Sequence, residues 1–360
     1  RESDIISRWG GDEFIVLLRG KMSVLTASNK AEEILGVMRE PLELEGQTIP
    51  IPTSIGVAIA STGADADKLI RNADIAMYQA KLKGRDNYQI FTDDMALDIT
   101  KNFHYEQDLK QDLASERFHL LYQPKVTSKG EIVGLEALSR WNHSTDGVIP
   151  PTVFIPLAEE SNLIIELGER VVKLSLSQLT EWRERGFALV PISVNISGSH
   201  LVSKGFMPFL RAQLQHHAIE GKWLEIEITE GVLVSDLERC IEVMSELKDL
   251  GIKISIDDFG TGYSSLNYLK RLPIDVLKID RSFVDECSSV QEDGKICSTI
   301  INLAENLDLS TVAEGVETQE QVDFLRTAGC EVFQGYYFYK PLNASTVETL
   351  LSRASVVHGS

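Results

Sequence analysis

The chain has 360 residues, 43% of them hydrophobic, which suits either one barrel-sized domain or two domains of about 150 residues. Lys and Arg number 35 against 54 Asp and Glu, a net charge of −19. That balance excludes a nucleic acid polymer as an expected partner, because such binding rests on cations neutralising phosphates. A small phosphorylated ligand stays open if metal ions screen the repulsion. No apolar run approaches the roughly 20 residues that cross a bilayer, and no signal peptide is visible, so no membrane contact by this segment is expected. The spacing of Cys240, Cys287, Cys297 and Cys330 fits neither a zinc site nor a disulfide framework, and reduced thiols in a cytoplasmic domain are expected. The first residue is Arg1 rather than Met, so a longer parent is expected, with room upstream for a membrane tether.

In chain order, a β-rich run at 14–18 follows a glycine turn, 31–39 reads as helix, 49–60 as strand and 66–83 as helix. Gly84 and Asn87 mark a turn before a short strand at 88–91. These elements make a small α/β unit. Residues 92–116 are polar and helical, without Pro or Gly, and Asp93-Asp94 suits a cap; a helical connector is expected there. Short β-rich runs then recur at 120–126, 132–138, 191–196, 224–228, 253–256, 276–279, 310–313 and 330–333, separated mostly by longer helical stretches. This is the rhythm of a parallel sheet or a (β/α)8 TIM-like barrel, and about 240 residues from Phe118 onward match the usual size. The amphipathic stretch 164–185 is expected to pack on the barrel.

Polar residues fall at the carboxyl ends of these strands: Glu136, Asn195, Glu227, Asp257, Asp258 and Glu314. A single acid at a strand end is ordinarily a helix cap or a solvated loop residue. Five carboxylates and an amide converging on one barrel face would repel one another unless a cation compensates. All-oxygen ligation without His or Cys points to a hard ion, Mg²⁺ or Mn²⁺, and the adjacent aspartates suit two ions about 4 Å apart. The seven histidines show no ligand spacing. Alternation puts Lys278 and Asp280 on one face of their strand. Lys278 is open to two roles, a salt-bridge partner for the acids or a group that orients or deprotonates a metal-bound water, since burial lowers a lysine pKa. Arg140 suits a phosphate grip or a surface ion pair. The glycine-rich segment Phe259-Gly260-Thr261-Gly262-Tyr263 reads as a mobile loop or as a turn. The chemistry indicated is two-metal hydrolysis of a phosphate ester.

Tyr122-Gln123-Pro124, Glu136-Ala137-Leu138 with Arg140-Trp141, Val194-Asn195-Ile196-Ser197, Glu227-Ile228-Thr229-Glu230, Asp257-Asp258-Phe259-Gly260, Leu277-Lys278-Ile279-Asp280, Ala313-Glu314-Gly315-Val316-Glu317 and Gln334-Gly335-Tyr336 resemble, in order, the motifs of the EAL family of cyclic di-GMP phosphodiesterases. The resemblance covers residues 104–353 and implies a barrel that hydrolyses cyclic di-GMP to linear pGpG. It also implies one metal on Glu136, Asn195, Glu227 and Asp257, and a second on Asp257, Asp258 and Glu314. Lys278 would help activate water, with Glu136 and Glu314 also counted as catalytic. Gln123, Arg140, Asp280 and Gln334 would touch substrate, and Glu230 and Glu317 would steady the loops. Dimerisation through the barrel is common in that family and is expected here. Gly231 stands where a serine is commoner, but no implied ligand is replaced, so an active enzyme is expected ahead of a non-catalytic receptor.

The first segment is similar to the GGDEF family, which condenses GTP to cyclic di-GMP. Gly10-Gly11-Asp12-Glu13-Phe14 is intact, and Arg1 and Asp4 fit that family's inhibitory Arg-x-x-Asp motif. Asp86 departs from the usual Gly-Arg-Asn run. Only the second half of such a domain is covered, so this segment alone is expected not to synthesise the nucleotide; a bifunctional parent remains an alternative. The expected organisation is a partial α/β GGDEF domain over 1–92, a helical connector over 93–115 and the EAL barrel over 116–355.

Overall fold

The computed structural model describes residues 4–20, 22–44, 47–49, 51–60, 63–84, 86–231, 237–260, 269–287 and 294–357. Two compact units are present, residues 1–107 and 108–360. Arg1, and residues 261–268, which include Thr261, Gly262 and Tyr263 of the glycine-rich segment, lie outside the described residues.

In the first unit, β1 (Ile5–Gly10) and β2 (Glu13–Leu17) pair as an antiparallel hairpin. Its turn is made by Gly11 and Asp12, and Gly11 takes a φ of 53° that a side chain would resist. The GGDEF motif is therefore the hairpin tip, with Asp12 and Glu13 exposed. Helix α1 (Val24–Met38) starts earlier than the apolar periodicity suggests, because Ser23 caps it by accepting the Thr26 N–H. The expected strand over 49–60 divides into β4 (Gln47–Ile49), paired with β3 (Leu42–Leu44), and β5 (Ile55–Val57). Pro50 and Pro52 cannot donate to a ladder, which accounts for the break. Helix α2 (Ala66–Leu82) leads to β6 (Tyr88–Ile90), which runs parallel to β5. The polar helix α3 (Asp93–Asp112) follows.

The second unit is a closed eight-stranded barrel. Its strands are β7 (Phe118–Thr127), β8 (Ile132–His143), β10 (Ile192–Asn195), β11 (Leu224–Thr229), β12 (Lys253–Phe259), β13 (Val276–Ile279), β14 (Ser310–Ala313) and β15 (Val332–Phe333). The short β9 (Gly147–Ile149) extends the edge beyond β8. The barrel reading holds with one strand reversed: β7 is antiparallel to both β8 and β15. Residues 128–131 alone link β7 to β8, far too few for the helical crossover that a parallel pair requires.

Outward residues of these strands, among them Ile226, Ile254, Ile256, Leu277 and Ile279, are fully buried beneath the helices. Helix α5 (Ile164–Glu184) supplies one such cover through Leu167, Val172, Leu176 and Trp182, as its amphipathic pattern indicates. The four cysteines are buried, and folding brings the Cys287 and Cys297 sulfurs to 3.0 Å. Among the described residues no helix is long and apolar enough to cross a membrane.

Two loops at the carboxyl end of the barrel interlock. The Val316 N–H donates to Gln334 O and the Tyr337 N–H donates to Val316 O. A Cβ on Gly335 would lie 2.1 Å from Val316 O and 2.3 Å from Val316 N, and backbone cannot retreat cheaply. Gly335→Ala is expected to cost about 3 kcal/mol, read as a lowered midpoint in urea unfolding; a midpoint unchanged from the parent would contradict this packing.

Candidate active site

The inner face of the barrel is polar because alternation turns every second strand residue inward. Glu136 comes from β8, Asn195 from β10, Glu227 from β11 and Lys278 from β13. Glu136 is not a strand terminus: β8 runs on to His143, since β7 and β9 still pair with it after its partnership with β10 stops at Ala137. Strict alternation would send Asp257 and Asp258 to opposite faces. The β12–β13 register slips between Ile256 and Phe259, and Asp258 adopts a left-handed φ of 53°. This bulge brings both carboxylates to one side, and the Asp258 N–H donates to Asp257 Oδ1 at 3.1 Å. Glu314 follows β14 and is held through its N–H to Ile279 O. A capping box of Thr318 and Gln321 opens α11 (Gln319–Thr327) just beyond it.

Two groups of three carboxylates result, Glu136 with Glu227 and Asp257, and Asp257 with Asp258 and Glu314. Within each, ligand atoms lie within 4.8 Å of one another. Asp257 belongs to both. Lys278 Nζ stands among them, 2.6 Å from Glu314 Oε1, 2.7 Å from Glu227 Oε2, 3.0 Å from Asp257 Oδ1 and 3.9 Å from Glu136 Oε2. Asn195 Nδ2 donates to Glu136 Oε1 at 2.9 Å, and Gln334 Nε2 donates to Glu136 Oε2 at 2.5 Å. The donor set is all oxygen and carries more negative charge than one lysine offsets, which fits hard divalent cations.

Burial raises the Glu136 carboxyl above its usual range, reinforced by Glu227 and Asp257 and opposed by Lys278. Burial, with Asp257, Glu136 and Glu227, likewise pushes Glu314 up to about 8 against Lys278. Burial would raise Glu227 too, but Lys125 and Lys278 outweigh it and hold Glu227 at about 2. Lys278 reverses the expectation drawn from burial alone. Burial lowers it, yet the surrounding carboxylates carry it well above the usual lysine range, which favours the ammonium form.

Several expected residues have other partners. Gln123 is buried, donates to Tyr339 O at 3.0 Å and accepts from Gln334 at 3.3 Å. Asp280 caps α9 (Arg281–Glu286), accepting the Ser282 N–H. Arg140 is half-buried and donates to Ser139 O; burial lowers its guanidinium pKa. Glu230 accepts the Gly260 N–H at 3.2 Å, immediately after the bulge. Glu317 pairs with Arg281 at 2.9 Å. In the first unit Asp4 precedes β1 and is partly exposed. Sequence reasoning missed Lys125 and Glu225, although alternation from Gln123 and Glu227 places both inside the barrel.

A polar barrel whose carboxyl end gathers acids in two overlapping trios is one defined type of enzyme scaffold, and residues 106–341 match the family described as EAL domain. The chain belongs to that family. Residues 1–87 match the family described as diguanylate cyclase, GGDEF domain. Similar proteins from Pseudomonas aeruginosa include the cyclic di-GMP phosphodiesterase NbdA, 38% identical over 98% of this chain and 45% of the relative. The bifunctional diguanylate cyclase/cyclic di-GMP phosphodiesterase MucR is 39% identical over 96% of this chain and 50% of the relative. The chain thus spans about half the length of these relatives. The solved PaMucR phosphodiesterase in complex with c-di-GMP superposes with a TM-score of 0.65 at 40% identity, over 68% of this chain and 99% of that one.

A carboxyl whose folded pKa lies above its unfolded value binds its proton more tightly when folded, so ionising it destabilises the fold. For Glu314 that loss develops as pH rises from the ordinary 4.5 towards about 8. In metal-free protein, Glu314→Gln is expected to flatten the fall in melting temperature across this window. A parent and variant with parallel pH profiles would refute the assignment.

Proposed function

We propose that this chain is a divalent-metal-dependent phosphodiesterase that opens cyclic di-GMP to linear pGpG. The observation that carries the reading is the pair of carboxylate trios sharing Asp257 around the Lys278 ammonium. Glu136, Asn195, Glu227 and Asp257 would hold one Mg²⁺ or Mn²⁺, and Asp257, Asp258 and Glu314 the other. Two such ions would polarise the scissile phosphate and supply a nucleophile from water near neutral pH.

The protein's own contribution is placement. The Asp258 bulge sets the two trios side by side, and Asn195 and Gln334 clamp Glu136 from both of its oxygens. Lys278 is a fixed positive charge that steadies the acids and can orient water or the departing oxygen. Arg140, on the same face of β8 as Glu136, would meet a phosphate, with Gln123, Gln334 and Asp280 lining the nucleotide. Glu230 holds the Gly260 amide and Glu317 holds Arg281, steadying the loops that carry Asp257 and Glu314. Names of relatives that act on cyclic di-GMP support the substrate. We also propose a cytoplasmic setting, a homodimer through the barrel, and the division into a partial GGDEF domain over 1–92, a connector over 93–115 and the hydrolase over 116–355.

Purified protein given Mg²⁺ or Mn²⁺ is expected to release pGpG, to stop on chelation, and to lose turnover below detection as Glu136→Ala. Tight cyclic di-GMP binding without turnover, with metal bound at both sites, would instead make it a receptor.

A further inference from the structure

A second lysine lies inside the barrel, and the proposed chemistry does not use it. Lys125 comes from β7, two residues beyond Gln123 on the same face, and its side chain is 5% exposed. Its Nζ donates to Glu225 Oε1 at 2.9 Å and to Glu227 Oε1 at 2.8 Å. Those two glutamates are two apart on β11 and share its inner face. The lysine stem passes over Gly134 of β8, where a Cβ would lie 3.6 Å from Lys125 Cδ, an ordinary contact. The reversed direction of β7 feeds this side chain in beside β8 and, across the interior, against β11.

Glu227 is fully buried, and its two oxygens are claimed by different cations: Oε1 by Lys125, and Oε2 by Lys278 at 2.7 Å. An ammonium on a flexible stem fixes a carboxylate only if it is itself held, and Glu225 holds it. We propose that Lys125, braced by Glu225, is a positioning residue that anchors Glu227 from beneath and keeps Oε2 directed into the acidic cluster. The proposal rests on the phosphodiesterase reading above, in which Glu227 is a metal ligand. Groups behind a ligand set its orientation, and losing one commonly weakens metal binding about 10- to 100-fold.

The bland alternative is an ion pair that only neutralises itself. Replacing both members by apolar residues removes that pair with no change in net charge and leaves Glu227 its Lys278 partner, and such exchanges are often neutral for stability. In Lys125→Met/Glu225→Met the Mn²⁺ dissociation constant, followed by the electron paramagnetic resonance of free Mn²⁺, is expected to rise about 10- to 100-fold while the melting temperature of metal-free protein holds. Hydrolysis should fall at low Mn²⁺ and recover as Mn²⁺ is raised. Glu225→Gln, whose amide oxygen can still accept from Lys125 and so keeps the brace and the Lys125–Glu227 contact, should bind Mn²⁺ much as the parent does. Parent-like affinity in the double variant would overturn the proposal, as would a loss in Glu225→Gln as large as in the double. If the double variant does not fold, Lys125→Gln carries the same comparison, and unchanged affinity again overturns it. A parent that binds no Mn²⁺ defeats the phosphodiesterase reading as well; a parent that hydrolyses beside an unaffected variant defeats this inference alone.

Discussion

Lys278 is fully buried with four carboxylates around it, and the organisation of the barrel interior follows from that arrangement. A buried ammonium alone would shed its proton, and buried carboxylates alone would take theirs up. Together they reach a compromise that satisfies neither side fully. Lys278 and Glu227 remain ionised, while Glu136 and Glu314 are driven towards the neutral form. The interior that most barrels fill with branched apolar side chains is here an ionic lattice, and apolar packing has moved to the outer faces of the strands under the helices. Stability and chemistry are therefore carried by separate shells of the same sheet.

The geometry within that lattice depends on small departures from regular strand structure. Parallel pairing of β10 with β11 puts Asn195 level with Glu227, and β11 with β12 puts Glu227 level with Ser255. Regular pairing turns acids inward only at alternate positions, as with Glu225 and Glu227 of β11. Only the slip after Ile256 and the left-handed Asp258 allow consecutive aspartates to share a face. A left-handed aspartate is a conformational cost, offset in part by its N–H to the neighbouring carboxylate.

Much of this was legible beforehand, for identifiable reasons. Strand positions show because the outward residues form short Ile- and Leu-rich runs, and the acids show because each stands beside such a run. The bulge is invisible in the letters Asp257-Asp258, since alternation predicts the opposite. The reversal of β7 could have been found by measuring the four-residue link at 128–131. Lys125 and Glu225 were hidden because a charged residue near one end of a strand reads as solvated, and only barrel closure reveals that it is enclosed. The direction of the Lys278 shift needed the count of its neighbours, since burial and charge act on it in opposite senses. The early start of α1 is masked because Ser28-Asn29-Lys30 interrupt its apolar pattern, and the Ser23 cap rather than periodicity begins it.

The reversed β7 has a bearing on how the barrel comes together. Most neighbours in this sheet lie a helical crossover apart along the chain, whereas β7 and β8 meet through a tight turn over a long, continuous ladder. Ordering such a hairpin costs the least chain entropy of any pairing in the barrel. The same hairpin closes the ring, since β8 continues to β10 while β7 joins β15, the strand from the far end of the domain. The hairpin carries Gln123, Lys125 and Glu136, and the pairing of β15 with β7 brings Gln334 onto Glu136. Assembly of the ring and assembly of the polar centre are one event, so a chain that fails to close also fails to build the site.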